Sequence, residues 1–174
     1  MRNSVAKLQK IGFIFTGISG VILHFLYEWT GNALIFAPFS GVNESTWEHM
    51  KLLFFPLFIY ALIEYKIIGK EYKSYWCIKL AGILTALAAV PMLYYTCIGV
   101  FGRSPDLFNI AIFYIAAAIA FVFEYYLFKN RCKCRYYGLP LIILFIVALS
   151  FVLFTFKPPH IPLFRDPISG IYGI

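Results

Sequence analysis

Leu80-Ala81-Gly82-Ile83-Leu84-Thr85-Ala86-Leu87-Ala88-Ala89-Val90-Pro91-Met92-Leu93-Tyr94-Tyr95-Thr96-Cys97-Ile98-Gly99-Val100-Phe101 contains no charged residue. About 20 apolar residues in a helix cross the roughly 30 Å of hydrocarbon in a bilayer, so this stretch is long enough to span one. Working outward, four more stretches reach that length once their interfacial ends are included. The expected spans lie near 9–29, 46–68, 76–101, 105–129 and 138–156. The second is the least obvious, because its uncharged core runs only from Leu52 to Ile63; Trp47, Tyr60 and Tyr65 can sit at headgroup depth while Lys66 snorkels. The first has basic residues before an apolar core, as a secretory signal does. No small-residue cleavage site follows it, so it reads as a retained helix.

Of 174 residues, 61% are hydrophobic and 13% charged, with a mean hydropathy of +0.79, which excludes a water-soluble globule. The expected fold class is an all-α integral membrane protein with about five transmembrane helices, forming one membrane domain over 1–174 with a tail at 157–174. The charged residues are unbalanced, 15 Lys and Arg against 8 Asp and Glu. In so apolar a chain this excess orients helices in a bilayer, and nucleic acid is not an expected partner. Eleven of the 15 basic residues fall on one side of the five-span map: Arg2, Lys7, Lys10, Lys66, Lys70, Lys73, Lys79, Lys129, Arg131, Lys133 and Arg135. Lys51, Arg103, Lys157 and Arg165 fall on the other. The positive-inside rule then puts the N-terminus in the cytoplasm and the C-terminus outside, in a multi-pass protein of the cell membrane.

Local signals mark helix ends and bends. Ser104-Pro105-Asp106 predicts an N-cap, a proline at the first helical position and an acidic first turn for span four. Pro56 and Pro91 fall inside spans two and three, where a proline frees a carbonyl and bends the helix. Cys132 and Cys134 sit in the basic cytoplasmic loop and read as unpaired or lipid-modified thiols, while Cys77 and Cys97 stand too far apart along span three to bridge.

The residues with chemistry cluster on the outer side. Gly17, Gly20, His24 and Glu28 share one helical stripe, and glycine on a membrane helix marks close approach to a neighbour, so the stripe faces protein. Span two is entered through Asn43-Glu44-Ser45-Thr46-Trp47-Glu48-His49, in which Ser45 and Glu48 predict a capping box and His49 opens the stripe Leu53, Pro56, Tyr60, Glu64. The tail carries His160 and Asp166 among prolines that stop another helix, and Ile161, Leu163 and Phe164 are expected to fold it back over the outer mouth. The candidate ligand or metal residues are therefore His24, Glu28, Asn43, Glu44, Glu48, His49, His160 and Asp166. His24, His49 and His160 with a carboxylate form a donor set suited to Zn²⁺. The spacing is not that of a zinc-protease motif, and no catalytic residue is identified.

His24-Phe-Leu-Tyr-Glu28, Asn43-Glu-Ser-Thr-Trp-Glu-His49 and His160-Ile-Pro-Leu-Phe-Arg-Asp-Pro together resemble an uncharacterised family of small multi-spanning membrane proteins from Gram-positive bacteria. The resemblance covers the whole chain. It implies membrane location and brings no activity.

Two further carboxylates, Glu64 and Glu124, lie towards the basic end. The second closes the stripe Asn109, Phe113, Ala117, Ala120, Glu124, which suits either a proton or substrate path or, more simply, ion pairs at the cytoplasmic interface. Two functional classes follow. One is an outward-facing His/Glu/Asn pocket that binds a small-molecule or lipid ligand or a metal ion, extending to a membrane-embedded hydrolase of a lipid or envelope substrate. The other is a non-catalytic transporter component or an envelope-stress or immunity protein acting through an unidentified protein partner. The topology has a direct test: a reporter fused after Gly170 should behave as external, and a cytoplasmic signal would refute five spans with the N-terminus inside.

Overall fold

The computed structural model describes residues 2–102 and 104–174. Arg103, placed on the outer side by the charge map, lies outside the described residues, as do the side chains of Arg2, Asn3 and Asp106. The described residues form five α-helices: α1 (Arg2–Trp29), α2 (Thr46–Glu64), α3 (Tyr75–Phe101), α4 (Asp106–Lys129) and α5 (Leu139–Phe156). A π-helical turn at Tyr65–Gly69 extends α2, and a short 3₁₀ turn at Pro162–Phe164 shapes the tail. All five are long and apolar enough to cross a membrane, which fits the architecture of a multi-pass membrane protein. Helix α1 begins seven residues earlier than expected, because its amphipathic first turns bury Val5 and Leu8 against Ile68, Tyr75 and Phe128. Helix α4 starts one residue later: Pro105 is the cap residue, and Ser104 donates to Asn109 instead of capping the helix.

Helix α1 packs on α2 and α4, α3 on α4 and α2, and α5 on α3 and α2. Helix α2 is thus central, and every residue from Met50 to Phe58 is buried. The span that is hardest to recognise in the sequence is the one most enclosed by protein. The outer helices expose Ile18, Met92, Val100, Ile110, Leu149 and other large apolar side chains, the surface a lipid environment accepts. The core is aromatic, with Phe54 and Phe55 of α2 against Phe151 of α5, and Tyr60 against Phe121 of α4.

The glycine stripe of α1 meets α4. At Gly20 a Cβ would overlap the Phe113 ring, and at Gly17 it would press on Tyr114. Gly20→Leu should therefore destabilise the protein by about 1–3 kcal/mol, the usual cost of overpacking, whereas Ile22→Leu on the exposed face should be close to neutral. Thermal melting in detergent checks this, and equal midpoints would contradict the α1–α4 contact.

Candidate functional site

The chain's turns gather two groups of residues, one at each end of the bundle. The histidine end carries the C-termini of α1, α3 and α5, the 30–45 loop and the tail. Here the loop is sewn into α1. Ser40 Oγ donates to the Leu23 carbonyl and accepts the Tyr27 N–H at 2.9 Å, entering the backbone ladder of α1 one turn from its end. Gly41 N–H also reaches the Leu23 carbonyl and lies against His24. The insertion fixes the loop beside the imidazole.

From there the loop turns into α2. Asn43 Oδ1 accepts the Ser45 N–H at 2.9 Å, and its amide donates to the Gly173 carbonyl, tying the turn to the tail. Ser45 Oγ caps α2 by accepting the Glu48 N–H. The expected return half of the capping box is absent, because Asn43 already satisfies the Ser45 N–H. Glu48 instead accepts the Val42 N–H at 3.1 Å and pairs with Lys51 at 2.5 Å. Lys51 is fully buried and donates further to the Ala37 carbonyl and Thr155 Oγ1, both at 2.8 Å. The sequence map treated this lysine only as a charge on the outer side.

Glu44 faces both imidazoles. One carboxylate oxygen stands 3.8 Å from His24 Nε2 and the other 3.5 Å from His49 Nε2, with the two rings 5.8 Å apart. His49 Nδ1 lies 3.0 Å from the Ser45 carbonyl, so this nitrogen is the donor and Nε2 is left to face Glu44. Glu44, His49, Tyr94 and Asn109 contribute the polar wall of a cleft of about 380 Å³. Val90, Ile98 and Ile112, on α3 and α4, supply its apolar wall.

Two expected members stand apart. His160 is exposed and stacks on Tyr172 at 4.6 Å. Glu28 is exposed, and His24 takes Glu44 as its acidic neighbour. Among the described residues no group of three or more His, Cys, Asp or Glu is arranged to hold a metal ion, so the three-histidine Zn²⁺ arrangement does not form. The tail does fold back, through Leu163 and the buried Phe164, the latter packed at a tilt on Trp47 with ring centroids 4.6 Å apart, while Ile161 stays exposed. Asp166 is buried in that fold and shapes its turn, accepting from the Ile168 N–H and Ser169 Oγ. The Glu44 N–H also points to it, which joins the tail to the cleft.

The entire chain, residues 1–174, matches the family described as a family of unknown function, DUF6512. The chain belongs to this family. Neither the curated proteins nor the solved structures contain a match to it. Sequence reasoning thus places this DUF6512 chain in an uncharacterised multi-spanning family, and the structure brings together His24, Glu44 and His49 of the cluster it singled out. Tyr94 was missed, although Val90, Tyr94 and Ile98 recur every fourth residue after the helical pattern.

At the opposite, lysine-rich end, Cys77 of α3 and Cys134 of the α4–α5 loop are joined in a disulfide, with Cα atoms 6.3 Å apart. This corrects the reading of Cys134 as an unpaired thiol. The loop returns to the start of α3, where Ser74 Oγ accepts the Cys134 N–H, a contact between residues 60 apart that the chain order does not reveal.

Burial alone would raise the Asp166 carboxyl, but the hydrogen bonds from Ser169, Ile168 and Glu44 outweigh it and hold the group below the ordinary aspartate range. A carboxyl depressed in the folded state stabilises above its unfolded pKa, and that contribution is lost as pH falls through the folded value. The docked tail should therefore loosen only in strong acid. Asp166→Asn should remove this acid dependence and speed tryptic cleavage after Arg165 at neutral pH; unchanged cleavage would contradict the turn-building role.

Proposed function

We propose that this DUF6512 protein is a multi-pass cell-membrane protein that binds an amphipathic ligand in the outward-facing cleft at its histidine end. The orientation rests on the basic residues, eleven of 15 of which belong to the opposite side. The carrying observation is Glu44 set between His24 and His49, at a cleft whose polar wall gives way to the apolar faces of α3 and α4. Such a wall suits a headgroup with hydrogen-bond donors and acceptors followed by a hydrocarbon chain. With His49 Nδ1 donating to the Ser45 carbonyl, Nε2 faces Glu44 across 3.5 Å, and a headgroup donor can enter between them. Binding is better supported than zinc-assisted hydrolysis, because His160 is stacked elsewhere and the two remaining imidazoles already share one carboxylate.

A lasting disulfide between Cys77 and Cys134 would require an oxidising compartment at the lysine end, against the charge count. The disulfide and the charge count make opposite demands on the lysine end, and the reporter fusion after Gly170 decides between them.

The ligand reading is tested with phosphatidylglycerol added to delipidated protein in detergent. Wild type should gain thermal stability. Ile98→Trp, which fills the cleft, should lose that gain, while Leu153→Trp on the exposed face of α5 should keep it. His24→Ala and His49→Ala should each remove most of the gain and together remove little more, because the two share Glu44. Equal gains in all variants would overturn the proposal.

A further inference from the structure

At the lysine end, Gln9 of α1, Glu64 at the end of α2, Lys79 of α3 and Glu124 of α4 meet inside the bundle. Lys79 Nζ lies 2.7 Å from Glu64 Oε2 and 2.5 Å from Glu124 Oε2. The three charged side chains are 1% exposed or less. These are interior contacts and not the interfacial pairs with loop lysines and arginines that the sequence suggests.

The two carboxyls are not equivalent. Glu64 receives Gln9 Nε2 at 2.8 Å on one oxygen, and the Tyr75 hydroxyl at 3.0 Å together with Lys79 on the other. Among the described residues Glu124 receives Lys79 alone, and its Oε1 is buried without a partner. Gly82 of α3 makes room for that carboxyl, since a Cβ there would overlap it. Two carboxylates against one ammonium leave an excess negative charge at membrane depth, which is costly unless compensated. A metal cation would need several additional oxygens and would stand beside an ammonium ion. A proton needs one acceptor, and Glu124 Oε1 is an unused one.

We propose that Glu124 is a proton-binding site inside the membrane bundle, carrying an exchangeable proton on Oε1 while Glu64 keeps the negative charge that pairs with Lys79. The other groups facing the cluster leave this assignment intact. The rings of Tyr60, Tyr75 and Phe121 surround the ammonium at 5.7–5.8 Å, and the Tyr60 hydroxyl is spent on the Leu8 carbonyl. Helix α1 presents the neutral Gln9, its Lys7 and Lys10 being exposed, and α5 contains no charged residue. Release of the proton changes the interior charge by one unit at the junction of α3 and α4, so their packing becomes sensitive to proton supply.

Infrared spectroscopy of the purified protein in lipid nanodiscs reads the proton directly, through the carbonyl stretch of a protonated carboxyl in a dry site. The wild type should show this band at neutral pH and lose it on alkaline titration. Glu124→Gln should abolish the band and keep the wild-type melting temperature, because the amide imitates the protonated acid. Glu64→Gln should keep the band and melt lower. If Glu124→Gln fails to fold, Glu124→Asp serves instead and should shift the band. No band in the wild type, a band lost in Glu64→Gln but not in Glu124→Gln, a band unmoved in Glu124→Asp, or a band abolished by sodium chloride at constant pH would each overturn the proposal.

Discussion

Enclosure of α2 is the constraint on which the remaining structure depends. A helix surrounded by four others cannot send its charged residues to water or to headgroups, so each must be neutralised within the bundle. Lys51 is met by Glu48, a loop carbonyl and the hydroxyl of Thr155. Glu64 is met by Lys79, Gln9 and Tyr75. Removing one partner from a buried pair costs on the order of 3–5 kcal/mol, more than most single packing contacts, so these two clusters set how the other helices and the loop must lie around α2.

The same constraint explains which parts of the molecule are legible in its sequence. Spans facing lipid announce themselves, and α3 to α5 are expected to within one or two residues of where they form. The glycine stripe of α1 is equally readable, because Gly17 and Gly20 report a close approach whatever the partner. Helix α2 is harder because its neighbours are protein, so it need not be uniformly apolar. Which charge it buries against which partner is a property of three-dimensional adjacency, and no spacing in the chain states that Lys79 will reach Glu64 and Glu124. The His24 and His49 neighbourhood was visible as a concentration of polar residues on one side. Its true acidic partner was not: Glu28 is one turn from His24 in the helix, yet Glu44 arrives from the loop because Ser40 anchors that loop to α1.

This anchoring also accounts for the division of labour among the acidic residues at the histidine end. Glu48 and Asp166 are spent on structure, holding a buried lysine and a tail turn respectively. Glu44 is half-exposed and faces two imidazoles with no helix cap or turn to maintain. Placement at one end of the five-span map made the three look alike, whereas burial separates supporting carboxylates from the one at the cleft.

Thr155 fixes how α5 seats on the bundle. Helix α5 buries a narrow stripe, Leu144, Phe151 and Thr155. Without it Lys51 would keep Glu48 and the Ala37 carbonyl and lack one acceptor. That acceptor position and the rings of Phe54 and Phe55 form a receptor for α5, polar at one point and aromatic around it. A shift of α5 by one residue would present a different face to Lys51, so the buried lysine acts as a registration mark for the helix.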